Sequence, residues 1–185
     1  MKRFIRPDAL LLATVLAAVL AWPLAQAAQA GPAEPTVPGA IEVPEGNKLF
    51  LVGHAVGVQI YSCNATPTGY AWALVAPRAD LFDEHGKLVA THFFGPTWQA
   101  KDGSYVVGHV EERVTVDGTA IQWLKLSAAS RGAGAEGDRL AETSFVQRIA
   151  TTGGLAPAPA ECNADEAGAV SEIPYTADYY FWKAI

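Results

Sequence analysis

The chain has 185 residues, half of them hydrophobic, and a formal net charge of −6. A balance that acidic offers no general attraction to nucleic-acid phosphates or anionic lipid, which excludes backbone-tracking nucleic-acid binding as a leading reading. The length suits one domain with a sizeable core.

The first thirty residues, "MKRFIRPDALLLATVLAAVLAWPLAQAAQA", begin with basic Lys2, Arg3 and Arg6 and continue as an apolar run from Ala9 to about Leu24. They end in two small-x-small sites, Ala25-Gln26-Ala27 and Ala28-Gln29-Ala30. That order is the pattern of a secretory signal peptide, removed from the mature protein. An uncleaved membrane anchor is the rival, since the apolar run approaches bilayer-spanning length; the small-residue ends and Pro23 favour cleavage. The expected product is secreted or periplasmic, free of the membrane after cleavage, and about 155 residues long. It is two units more negative than the whole chain, because the leader holds three basic residues against one acidic, Asp8.

Residues 31–46, "GPAEPTVPGAIEVPEG", carry four prolines and read as a linker or extended lead-in. From Asn47 the pattern changes to short apolar runs with period-two character. "KLFLVGHAVGVQIYSC" reads as a strand, a glycine-marked break and a second strand, and "YAWALVAP" as a segment buried on both faces. "ADLFDEHGKLVATHFF" places a turn at 83–86 between two strands. "SYVVGHVEERVTVDGTAIQWLKLSA" holds Asp117-Gly118, a hairpin signal, between alternating stretches. "LAETSFVQRIAT" alternates, and "IPYTADYYFWKAI" sets Tyr175, Ala177, Tyr179 and Phe181 on one face. Eight or more short strands without a βαβ rhythm predict a single all-β domain over 47–185, an antiparallel β-sandwich or barrel with long loops.

The two cysteines, Cys63 and Cys162, both lie in the exported part. Export makes a disulfide the expected state, tying an early strand to a late loop. Two unpaired thiols are the alternative. Neither cysteine has a second ligand at metal-site spacing, and no H-x-H or H-E-x-x-H pattern joins His54, His85, His92 and His109, so no metal or other cofactor is expected.

Enzyme signatures are few. "RGAGAEGD" contains a literal G-x-G-x-x-G, Gly132, Gly134 and Gly137, but strand-like sequence follows it where a dinucleotide site needs a helix. It reads as a mobile surface loop, and an NAD-dependent dehydrogenase is rejected. There is no nucleophile elbow, P-loop or C-x-x-C. The aromatic residues are more suggestive, because indole and phenol rings fill cores but also receive sugars and flat ligands. "ATHFFGPTWQAKDGS" (90–104) concentrates His92, a Gly-Pro break and Trp98, with Trp98 expected to be displayed at a strand end. Gln59 and Arg148 are polar residues set in apolar strands. A buried guanidinium is costly unless paired, so Arg148 meets a carboxylate, faces an opening, or points outward.

Taken in order, "GVQIYSC", "HFFGPTWQAKDGS", "IQWLKL", "FVQRIATTGG", "APAEC" and "YTADYYFW" resemble an uncharacterised secreted family of bacteria, fungi and some plants, domain of unknown function 3455. The similarity runs from about Val43 to the C-terminus. The resemblance implies an exported single domain with the two cysteines in matching motifs. It brings no assigned activity and no catalytic residues. A malate dehydrogenase label carried by some fungal relatives finds no support in the glycine loop.

Three functions follow as expectations. The first is binding of a small molecule or glycan in an aromatic-lined pocket formed by Trp98, His92, Gln59, Tyr61, Trp123 and Arg148. The second is a hydrolase- or isomerase-type enzyme using His92 or His109 with a carboxylate. The third is a structural or surface-interaction protein with no small-molecule site. No pattern in the sequence specifies an oligomer.

Overall fold

The computed structural model describes Met1 and residues 31–185; the signal-peptide reading falls on residues outside that range. Eight strands follow one another: β1 (Asn47–Thr66), β2 (Gly69–Phe82), β3 (Leu88–Phe93), β4 (Thr97–Ala100), β5 (Tyr105–Val114), β6 (Trp123–Gly132), β7 (Thr143–Gly153) and β8 (Val170–Ala184). Each pairs antiparallel with the next, and β8 returns to pair with β1, so the sheet closes into a barrel. Of the two all-β architectures expected, the barrel is the one adopted. Closure leaves the inward residues of every strand to fill one core. Leu51 and Ala55 of β1, Leu81 of β2, Val106 of β5, Leu126 of β6, Val146 of β7 and Phe181 of β8 all meet there.

The period-two alternation of β8 holds as read: Tyr175, Ala177, Tyr179 and Phe181 are all buried. The turn at 83–86 also forms, closed by the Asp83 amide on the Lys87 carbonyl at 2.9 Å. Cys63 and Cys162 form the disulfide, spanning 99 positions and fastening β1 to the loop before β8. A cross-link of that span is worth up to about 4–5 kcal/mol in the chain-entropy account.

Several local readings are corrected. The stretch from Lys48 to Cys63 is one strand, not two, because Gly53 faces the interior where Leu81 packs over it, and the pairing with β8 runs on through it, Gly53 opposite Tyr179. "YAWALVAP" is not buried on both faces: β2 projects with β1 as a hairpin arm, leaving Leu74 56% and Val75 47% exposed. Asp117-Gly118 does not join two strands directly. It sits in a loop from 115 to 122, where the Asp117 carboxylate accepts the Thr119 amide at 2.7 Å. That loop then dips Ala120 and Ile121 into the barrel end.

The lead-in is docked rather than free. Ile41 is fully buried on the outside of the barrel, and its carbonyl accepts the Gln147 amide at 2.7 Å. Gln147 in turn accepts the Trp182 indole N–H at 2.9 Å. A cleft of about 400 Å³ lined by Glu34, Thr36, Glu42 and Trp182 remains between strap and barrel.

Candidate functional site

Strand register decides which side chains share the barrel interior, since residues directly opposite in a sheet project from the same face. On β3, His92 lies opposite Ala79 on one side and Trp98 of β4 on the other. The two rings stack at 4.4 Å between centroids and 7° between planes. Tyr179 and Phe181 set their rings edgewise against Trp98 at 5.3 Å and 6.0 Å. Gly108 of β5 makes room for the indole, because a Cβ there would meet Trp98 Cζ3 at 3.1 Å and Leu126 Cδ2 at 2.8 Å.

Arg148 of β7 is opposite Leu124 and Tyr179, both core residues, so its side chain enters the interior rather than pointing outward. No carboxylate among the described residues lies within ion-pair distance of it. Instead its Nε and Nη2 donate to the Gln122 carbonyl at 3.1 and 2.8 Å. Its charge reaches Tyr61, Tyr175, Tyr179 and His92, acting on the titration of each. Gln59 and Tyr61 enter from β1 on the buried face they share with Cys63.

A cap closes this end. Ile121 donates its amide to the Gly153 carbonyl at 2.9 Å, and Thr151 Oγ1 donates to the Ile121 carbonyl at 2.6 Å. The Tyr61 hydroxyl donates to the Gly154 carbonyl at 2.7 Å. Two of the candidate residues, Tyr61 and Arg148, are therefore bonded to the cap itself. Beside these contacts Ala150 holds a φ of 48°, a left-handed conformation that non-glycine residues avoid and that a packed surround must sustain.

Five of the six expected lining residues thus meet in the interior. The sixth, Trp123, does not: it neighbours inward Leu124 on β6 and so lies on the opposite face, half-buried against the outside. Trp98 does not stand displayed at a loop. It lies within β4 and is 1% exposed, because the Gly95-Pro96 turn is tight enough to return the chain directly into the sheet. Tyr175 and Tyr179, whose hydroxyls lie 3.3 Å apart, were not among the expected lining residues, although the alternation of β8 had placed both on its buried face.

The chemistry of the cluster is that of hydrogen-bond donors. His92 Nδ1 faces the Thr97 carbonyl at 2.8 Å, so it carries the proton and leaves Nε2 as the ring's acceptor. Burial, with Arg148 adding to it, pushes the imidazole pKa down to about 3. Burial raises the tyrosine hydroxyls and keeps them protonated. Among the described residues three buried donors have no partner: Trp98 Nε1 and Gln59 Nε2 in the interior, and Trp72 Nε1 on the β2 arm, beside the loop before β8. Of the other histidines, His54 pairs with Asp178 at 2.6 Å at the surface, and His109 is exposed on β5. Among the described residues, no three His, Cys, Asp or Glu side chains gather closely enough to hold a metal ion.

No characterised protein and no solved structure gave a significant match to the chain. The profile of the family described as "Protein of unknown function (DUF3455)" matches residues 44–183, most of the chain, and the protein belongs to that family.

Proposed function

We propose that the protein is an exported binding barrel whose interior, beneath the cap of residues 120–122 and 150–154, holds a small molecule. The observation that carries this is that two of the three buried, unpartnered donors, Trp98 Nε1 and Gln59 Nε2, belong to this interior, the third being Trp72 Nε1 on the β2 arm. Leaving a buried donor unpaired costs about 1–3 kcal/mol, and folded proteins pair nearly all of them. Two such donors in the compartment that also holds an unneutralised guanidinium describe a site awaiting acceptors, not a finished core. The disulfide fits the oxidising compartment that export implies.

Acid–base catalysis by His92 is the weaker reading. A base whose conjugate acid has a pKa of about 3 takes up a proton poorly near neutrality, and the Thr97 carbonyl fixes its tautomer. A thermal-shift panel of metabolites and glycans tests the proposal. At least one compound should raise the Tm, and Trp98→Phe, which keeps a ring but removes the N–H, should weaken that response tenfold or more. A hit whose effect survives Trp98→Phe places binding elsewhere; no stabilisation by any compound favours the purely structural alternative.

A further inference from the structure

We infer that the ligand of the barrel interior is a small organic anion bearing a single carboxylate, with Arg148 as its anchor. The inference rests on the small-molecule reading above and specifies its chemistry. The cluster's own acceptors, His92 Nε2 and the tyrosine oxygens, are all neutral. Arg148 offers five N–H donors; the Gln122 carbonyl takes one each from Nε and Nη2 and the Tyr179 hydroxyl takes another, which leaves two. Trp98 Nε1–H and the Gln59 amide add further donors without partners. No neighbour supplies the missing negative charge: the tyrosines stay protonated, His92 stays neutral, and no carboxylate pairs with the guanidinium.

A carboxylate brings two oxygens that only accept, and its planar pair matches the guanidinium fork. A sugar hydroxyl fits less well, because each one brings a further donor and no negative charge. Phosphate fits less well for a different reason. A dianion would exceed the single positive charge and leave the excess uncompensated. Arg148 also fastens Gln122 of the cap, so an arriving carboxylate competes with the Gln122 carbonyl for the same donors and loosens that end of the cap as it binds.

The test uses ¹⁵N-labelled protein with its disulfide intact, at pH 7 and constant ionic strength, following the Trp98 indole N–H resonance, assigned by its loss in Trp98→Phe. Acetate, butyrate and benzoate are titrated beside butyramide, benzamide and inorganic phosphate. The carboxylates should move the Trp98 indole proton downfield and raise the Tm, each binding at least tenfold more tightly than its amide. Arg148→Gln should abolish the preference, and Arg148→Lys, which keeps the charge without the fork, should retain part of it. Amides that move the indole resonance as well as carboxylates do would leave a binding barrel and overturn the anion. Phosphate binding more tightly than the carboxylates would overturn the single charge. A carboxylate response unchanged in a folded Arg148→Gln protein would remove Arg148 as anchor. A silent indole resonance with every probe would overturn both the anion and the interior site.

Discussion

Two polar clusters sit on the same barrel and behave oppositely. The first is the turn at Asp102–Ser104, between β4 and β5, together with the glycine-rich loop after β6. The Asp102 carboxylate accepts the Ser104 amide, the Ser104 hydroxyl and the Arg139 amide; its carbonyl accepts the Glu136 amide. Ser104 Oγ then accepts the Leu140 amide at 3.0 Å. Those bonds hold the Asp102 carboxyl below the usual carboxylate range, the Ser104 hydroxyl contributing most. The second cluster is the capped interior, where Trp98 Nε1 and Gln59 Nε2 stay unpaired and Arg148 has no counter-ion. The cluster containing a dinucleotide-like glycine motif closes entirely on itself, and the one without any motif leaves hydrogen bonds unmade. Chemical openness, rather than motif content, separates the candidate site from the structural knot.

The largest effect expected comes from breaking the closed cluster. At Gly134 a Cβ would lie 2.0 Å from the Asp102 carbonyl oxygen and 2.4 Å from the Ser104 nitrogen, and backbone cannot swing aside as a side-chain tip can. Gly134→Ala should destabilise the protein by about 3 kcal/mol in urea unfolding, at the upper end of overpacking costs. Gly118→Ala, where a Cβ meets nothing within 4 Å, should stay within about 0.5 kcal/mol. Equal effects at the two glycines would mean that the 133–139 loop moves freely, as its composition suggests, and that the contrast between the clusters is not real.

Acid should separate the two clusters next. His92 has its pKa depressed in the folded state, so between about pH 6.5 and pH 3 the unfolded chain binds a proton that the native protein refuses. Stability is therefore full above pH 6.5 and falls as the pH drops, by about 1.4 kcal/mol per unit once the unfolded histidine is protonated. Asp102 is also depressed, but its contribution is present above the ordinary carboxylate range and fails only below it. From pH 6 to pH 4.5 the loss should come to about 2 kcal/mol and belong to the interior cluster. His92→Phe, which keeps a ring on Trp98, should flatten that slope. An unchanged slope in the variant would assign the proton to another group.

The inward face of β8, the disulfide and the all-β class were legible because period-two alternation and cysteine export are local signals. His92 and Trp98 were legible as neighbours because only three residues of turn separate their strands. The cap was not, since Asp117-Gly118 looks like a two-residue hairpin until Ile121 is seen to fill the barrel end. Trp123 and Trp98 carry the same side chain, and only the register of β6 and β4 decides that one faces out and the other in. The glycine loop misled for a related reason. Its glycines serve close approach to the turn at Asp102, some thirty residues earlier, a contact no local pattern records.

The smallest effect expected is also the one that bears most directly on the contrast. Ser104 is satisfied, so Ser104→Ala orphans the Leu140 amide and should cost about 1–2 kcal/mol. Gln59 is not satisfied, so Gln59→Leu removes a buried donor with no partner while keeping nearly the same volume. The variant should be more stable than the parent by about 1 kcal/mol. It should also lose affinity for any carboxylate probe that moves the Trp98 indole. A gain in stability coupled to a loss of binding is the expected signature of a polar group kept for a ligand. Destabilisation by Gln59→Leu, comparable with that of Ser104→Ala, would instead show that Gln59 bonds within the fold, and the interior would then be as closed as the turn at Asp102.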